Sequence, residues 1–196
     1  RAEDIVAIDQ TAQALGVAVG EVDAFGKAME NMGLDAQGAR DSLTDMGESI
    51  GEAMQDIESG RAKTFTALGI SLKDVNGQAI NAQEGIFRLA DAVQGLDRSA
   101  AVFRIKELGI TDNRMVEAIL RGRSELERMI GIQKEQGVIT REQVEQARRY
   151  TETMNQFRAS TRSVSDGIAQ ALIPALTQIV EWLTVVVRWV GENKNF

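Results

Sequence analysis

Cysteine and histidine are both absent from the 196 residues, and proline occurs once. Without cysteine there is no disulfide framework and no thiol nucleophile. Without either residue, ordinary zinc and copper sites lose their preferred ligands. Ser-His-Asp and Cys-His arrangements cannot be built. Carboxylate-only chemistry, for a hard cation or for glycoside cleavage, survives these exclusions. Aromatic residues are only 5% of the chain, and long alternating strand patterns are missing, which argues against an extensive sheet. A basic-apolar-small leader pattern is missing too; opening on Arg1, the chain reads as a fragment or a processed product.

What is present is helical material. Apolar residues at 43% suffice for a core, and charged residues make up 26%. Ala, Gln, Glu, Leu and Arg usage favours helix, with 18 glycines as punctuation. The net charge of −7 argues against a general nucleic-acid binder. It is unevenly spread: residues 1–100 carry 17 acids and 8 bases, residues 101–196 carry 12 acids and 14 bases. That polarity suits an assembly component better than a small-molecule enzyme. The expected fold is all-α: a helical bundle over 1–137 with one small β-hairpin at about 70–80. A long helical region over 138–196 follows, kinked at Pro174.

Glycines and capping residues place the elements. Helices are expected over 2–15, stopped at Leu15-Gly16-Val17, and over about 19–32, stopped at Gly33. Asp35 caps the next, whose apolar positions Ala39, Leu43, Met46, Ile50, Ala53 and Ile57 follow a 4, 3, 4, 3, 4 spacing. Gly38, Gly47 and Gly51 within it either permit close helix approach or are simply tolerated. A short helix over 62–68 ends at Leu68-Gly69, and Asp74-Val75-Asn76-Gly77 is a turn between two alternating flanks. Further helices run over 82–95, from Asp97 or Ser99 to Leu108-Gly109, from a Thr111 cap to Leu120 or Arg121, and from Ser124 to Gln136. Thr140 and Gln143 form a capping box for the final helical region.

Four features carry candidate chemistry. Asp74-Val75-Asn76-Gly77 has glycine fourth, where a calcium loop has it sixth, so turn geometry explains it. Asp41, Asp45, Glu48, Glu52 and Asp56 form either a carboxylate array or a solvated helix face. Arg141, Arg148, Arg149, Arg158 and Arg162 could touch phosphates, but the interleaved Glu142, Glu145 and Glu152 favour pairs within the helix. Residues 168–190 are long enough to span a membrane, yet Gln170, Gln178, Glu181 and Arg188 would be costly in lipid. An amphipathic helix packing on partners is the better reading. Its stripe includes Leu172, Leu176, Ile179, Leu183, Val186 and Val190, while Trp182 and Trp189 share a face that suits an interfacial belt or an interhelix core.

Four stretches resemble the tail tape measure proteins of long-tailed bacteriophages and prophages. They are Ala14-Leu15-Gly16-Val17 with the helix that follows, Phe65-Thr66-Ala67-Leu68-Gly69-Ile70 with the Asp74–Gly77 turn, Leu108-Gly109-Ile110-Thr111-Asp112, and Leu172-Ile173-Pro174-Ala175-Leu176 leading to Gly191-Glu192-Asn193. The resemblance implies a non-enzymatic protein of the virion tail. Such proteins lie in the tube lumen, set tail length, leave before DNA passes and help form a route across the host envelope. It implies tail tube and tail-tip partners, a homo-oligomer (a trimer at the tip) and proximity to DNA without sequence recognition. No family motif present is catalytic, so no active site, metal or cofactor is implied, and the peptidoglycan-cleaving domain of some members is not seen. Fully helical, the chain would span about 290 Å at 1.5 Å per residue, so it is expected to be one segment of a longer ruler. The expected self-association residues are Leu43, Met46, Ile50 and Ile57 in one seam, and Leu172 to Val190 in the other. Two alternatives stand beside this: insertion of 168–190 into a host membrane during ejection, and a carboxylate-only cell-wall hydrolase.

Overall fold

The computed structural model describes residues 2–161, and the chain is mostly helical. The order is α1 (Ala2–Leu15), α2 (Val19–Asn31), α3 (Ala36–Gln55), α4 (Gly60–Ala67), α5 (Ala82–Ala92), α6 (Arg98–Glu107), α7 (Asn113–Leu120) and α8 (Arg123–Gln136). A further helix, α9, is described over 141–161. The expectations for Pro174, for the Leu172–Val190 stripe and for Trp182 and Trp189 lie outside the described residues.

Two of the three Leu-Gly-Val/Ile triplets are helix stops with one geometry. At the end of α1, Val17 N–H donates to Ala12 O (3.0 Å) and Gly16 N–H to Gln13 O (3.2 Å). At the end of α4, Ile70 N–H donates to Phe65 O (2.9 Å) and Gly69 N–H to Thr66 O (3.0 Å). Leu34 and Gly33 repeat the pair on Met29 and Glu30. These are Schellman caps: glycine takes the left-handed φ (+65° at Gly16, +67° at Gly69), and the next residue returns to the apolar side. Leu34, Ile70 and Ile110 are buried accordingly.

Capping side chains start the helices. Asp35 accepts from Gly38 N (2.7 Å), which holds its carboxyl below the usual range, with the Arg114 charge adding to the effect. Asn81 and Asp97 cap α5 and α6 in the same way. The cap of α7 is Asp112, not the expected Thr111: its carboxylate reaches both Arg114 N (2.7 Å) and Met115 N (3.3 Å). Thr140 and Gln143 complete a reciprocal box, Thr140 N to Gln143 Oε1 (2.9 Å) and Gln143 N to Thr140 Oγ1 (3.3 Å).

The expected hairpin at 70–80 reduces to a loop closed by one isolated antiparallel bridge, Lys73 to Ala79. Across that bridge Asp74 N–H donates to Gln78 O (2.8 Å) and Ile80 N–H to Leu72 O (3.0 Å), and the loop's other polar groups are spent elsewhere. Asp74 Oδ1 accepts from Asn76 N (2.8 Å) and Gln78 N (2.9 Å), and Arg88 Nη1 takes the carbonyls of Ser71 (2.7 Å) and Lys73 (3.1 Å). Few groups remain for a ladder.

Residues 2–148 form one compact unit, which takes in 138–148, and 149–161 fall outside it. The reason is that Val144 and Ala147, at the start of α9, are buried with that unit. At the centre of that unit α2 packs on α1, α3 and α8, and α3 packs in turn on α4 and α5. Phe25, Met29, Met46, Ile86, Leu89, Leu108, Ile119 and Leu126 are fully enclosed. Each such side chain contributes roughly 1.5–3 kcal/mol of burial. Of the three helical glycines in α3, Gly47 is a close-approach site, since a Cβ there would stand 2.7 Å from Leu15 Cδ2, whereas Gly51 faces open space.

Two contacts between α3 and its neighbours are tight enough to test. A Cβ on Gly85 would lie 2.7 Å from Ile50 Cδ1 and 2.9 Å from Met46 Cγ. The Ser49 hydroxyl, fully buried, shares its proton between Asp45 O (2.8 Å) and Leu108 O (2.6 Å), an exposed-end carbonyl of α6 carried into the core. Gly85→Ala is expected to destabilise the bundle by about 1–3 kcal/mol through overpacking. Ser49→Ala is expected to cost a similar amount, about 1–3 kcal/mol, by leaving the Leu108 carbonyl unsatisfied. Urea denaturation of each variant measures both.

Candidate interaction surfaces

The α3 seam faces inward. Leu43, Met46 and Ile50 are 3%, 0% and 5% exposed and pack within the chain's own core, so they are corrected from partner-binding to core residues. Ile57 differs: α3 ends at Gln55, and Ile57 is 78% exposed beyond it. With Met54, half out of the surface, it borders a groove of about 280 Å³ that also takes walls from Phe65, Ile70 and Leu72.

The α3 acids lie on the outer side of that helix. Glu52 pairs with Arg61 (3.1 Å), and Asp41 accepts from Gln37 Nε2 (2.6 Å). Asp45 is half-buried, and its carboxyl is pushed up by burial, then by the neighbouring charges of Glu48 and Asp41, with Arg61 opposing. No group of His, Cys, Asp and Glu among the described residues is arranged to hold a metal ion.

A cluster that sequence reasoning missed sits on α2. Asp23 is 4% exposed and accepts from Lys27 Nζ (2.8 Å) and from the backbone N–H of Ile139 (2.9 Å). Lys27 also donates to Gly137 O (3.3 Å). Gly20 makes room for the same loop: a Cβ there would be 2.7 Å from Val138 Cγ2. One buried carboxylate thus fastens 137–140 to α2. The following turns of α9 are held by burial of Val144 and Ala147 and by an Arg148–Asp9 ion pair. Between α1, the α1–α2 joint and 138–148 runs an open groove of about 680 Å³, walled by Val17, Val19, Ile139 and Val144 and edged by Asp9, Arg141, Glu145 and Arg148. The sequence signal for this cluster is slight: an Asp and a Lys one turn apart, Asp23 and Lys27, in the middle of α2.

A second ionic cluster joins α5 to α8. Arg123 bonds Glu84 (3.2 Å), Asp91 (3.4 Å) and Glu127 (2.6 Å) and lies 5.2 Å from the Phe87 ring centroid. Its pKa is raised, first by the hydrogen bond to Glu127 and also by the Glu84 charge. Glu84 in turn binds Arg88, which carries the 71–73 carbonyls, so this cluster is structural.

Of the basic residues on α9, Arg148 is committed to Asp9, and Arg162 lies outside the described residues. Outside the compact unit, 149–161 are helical, with Tyr150 59% and Phe157 63% exposed. No helix among the described residues is long and apolar enough to cross a membrane. No family model matches the chain, and the same holds for curated proteins and for solved structures.

Asp23→Ala would leave the Ile139 amide and the Lys27 ammonium without their carboxylate. The expected outcome is a loss of about 1–3 kcal/mol, with hydrogen exchange at the Ile139 amide accelerated beyond that of the core amides of α3. Unchanged protection at Ile139 would show that the carboxylate does not hold the loop.

Proposed function

We propose that the chain is a non-enzymatic structural segment of a phage tail tape measure protein, acting in the tail lumen or tail tip in length determination, assembly and genome ejection. The supporting observation is the articulation of the chain. Short helices are joined by glycine stops, two of them Schellman caps at Leu-Gly-Val/Ile triplets on which the resemblance rests, and they lead into a long polar helix. The sites built by the described residues are consistent with this reading. Arg123, Asp23 and Ser49 are occupied in holding elements together, and the groove beside α1 is edged by a committed ion pair. Under this reading the partners are tail tube and tail-tip proteins, copies of the chain itself in a trimer, and DNA in passing. The Leu172–Val190 stripe beyond a kink at Pro174 would supply contacts between copies. Membrane insertion of 168–190, with Trp182 and Trp189 at the interface, is the alternative within the same ejection setting.

The test is location. An antibody raised against this chain is expected to label intact tails of the phage that encodes it and to lose that label after DNA ejection, as seen by immunoelectron microscopy. In-frame deletion of a helical stretch from the full-length gene is expected to shorten tails by up to about 1.5 Å per residue removed. Tails that never carry the label, or whose length is indifferent to such deletions, would refute the assignment.

A further inference from the structure

Residues 137–148 lie along α1 and the α1–α2 joint as a strap. The strap leaves α8 at Gly137, whose φ of +101° is open to glycine and costly for other residues. It then runs through 138–140 without regular structure before α9 begins at 141. Two acids of the bundle hold its two ends. Asp23 in α2 accepts from the Ile139 amide (2.9 Å), and Asp9 in α1 pairs with Arg148. Between the ends the fit is loose. The groove of about 680 Å³ lies between this segment and α1, and Val17, Val19, Val138 and Ile139 on its walls are only half-buried. Val144 and Ala147 are buried, yet they stand outside the contiguous core of the bundle, which reaches the strap only through Val138 and Ile139 at its margin.

We propose that 137–148 is a strap that opens as one piece, turning about Gly137, while the bundle over 2–136 stays folded. Opening gives up the Asp23 and Asp9 fastenings and the burial of one valine and one alanine. Unfolding the bundle gives up a core that includes Phe25, Met29, Met46 and Ile119. The first is much the smaller sum, so the strap belongs to the part of the molecule that opens before the whole does. Because the fastenings sit at opposite ends of one short segment, the groove opens fully only when both let go, and this couples residue 139 to residue 147. An open strap bares Val17 and Val19 on the bundle and its own inner side, an apolar surface that the closed form half conceals. The device does not depend on the tape measure reading.

The chain has no cysteine, so one introduced thiol reports one position. Ala147→Cys in the full chain is expected to react with a thiol reagent in plain buffer, at a rate that depends weakly on urea. Ala101→Cys, in the core side of α6, is expected to react more slowly and with the steep urea dependence of global unfolding. Asp23→Ala is expected to speed the labelling of Ala147→Cys about tenfold, although Asp23 fastens the other end of the strap. Asp9→Ala is expected to speed hydrogen exchange at the Ile139 amide by roughly threefold, less because the Asp9–Arg148 pair is partly exposed. Labelling of Ala147→Cys at the rate and urea slope of Ala101→Cys overturns the proposal, since the segment then opens only with the whole bundle. Labelling of Ala147→Cys that is indifferent to Asp23→Ala overturns it too, because α9 would then be fraying from its far side while Ile139 stays fastened. Should Asp23→Ala not fold, the Asp9→Ala exchange decides alone, and an unchanged rate at Ile139 counts against a strap that moves as one piece.

Discussion

A helix packed on three neighbours must satisfy internally whatever polarity it buries, and α2 packs on α1, α3 and α8 while burying Asp23. An unpaired carboxylate there would be expensive. Its partners are therefore structural requirements. Lys27 comes from the next turn of the same helix, and the Ile139 amide comes from a loop 116 residues away in sequence. Meeting that requirement determines where α8 stops and where α9 starts. Val138 then settles over Gly20, where no side chain stands in its way. The capping box at Thr140 begins the helix there, and Val144, Ala147 and the Arg148–Asp9 pair continue the attachment. The end of the compact unit at 148 follows from one buried charge and the surfaces it brings together.

The helix stops connect sequence to assembly in a different way. A Leu-Gly-Val or Leu-Gly-Ile triplet does two things at once: glycine turns the chain, and the branched residue after it drops back into the core. A chain built from such joints reverses direction every two to five turns and folds short. Under the tape measure reading, residues 2–148 contribute far less length than a straight helix of the same count.

Local signals were the legible part of this fold. The stops at Gly16, Gly33 and Gly69, the Asp35 cap and the Thr140 box depend on residues within five positions of each other, and spacing alone reveals them. The Thr111 reading failed locally, since either of two adjacent capping residues suited the pattern and the charged Asp112 won both amides. Of the hairpin only the Lys73–Ala79 bridge is formed, since Arg88 and Asp74 take other backbone groups of the loop, and Arg88 is 15 residues beyond Lys73. Long-range outcomes were not legible. The 4, 3, 4, 3 spacing from Ala39 to Ala53 is the same whether a helix meets its own bundle or another chain. Only the arrival of α2 and α5 makes Leu43, Met46 and Ile50 core. Asp23 has one partner four residues away in Lys27, but nothing near it in sequence announces the Ile139 amide.

The same spacing on α3 and α9 meets different surroundings, and the difference is one of supply. The inner face of α3 meets α2, α4 and α5, each delivering apolar side chains, so the seam is satisfied before any partner arrives. Along α9 the described residues supply such cover only as far as Ala147, and Tyr150 and Phe157 are left facing water. Leaving two large aromatic faces uncovered forgoes a few kcal/mol of burial, a cost that single exposed residues commonly carry but that a periodic row does not need to. Spacing thus identifies a helix face that wants burial, and the surrounding architecture determines whether the chain itself provides it.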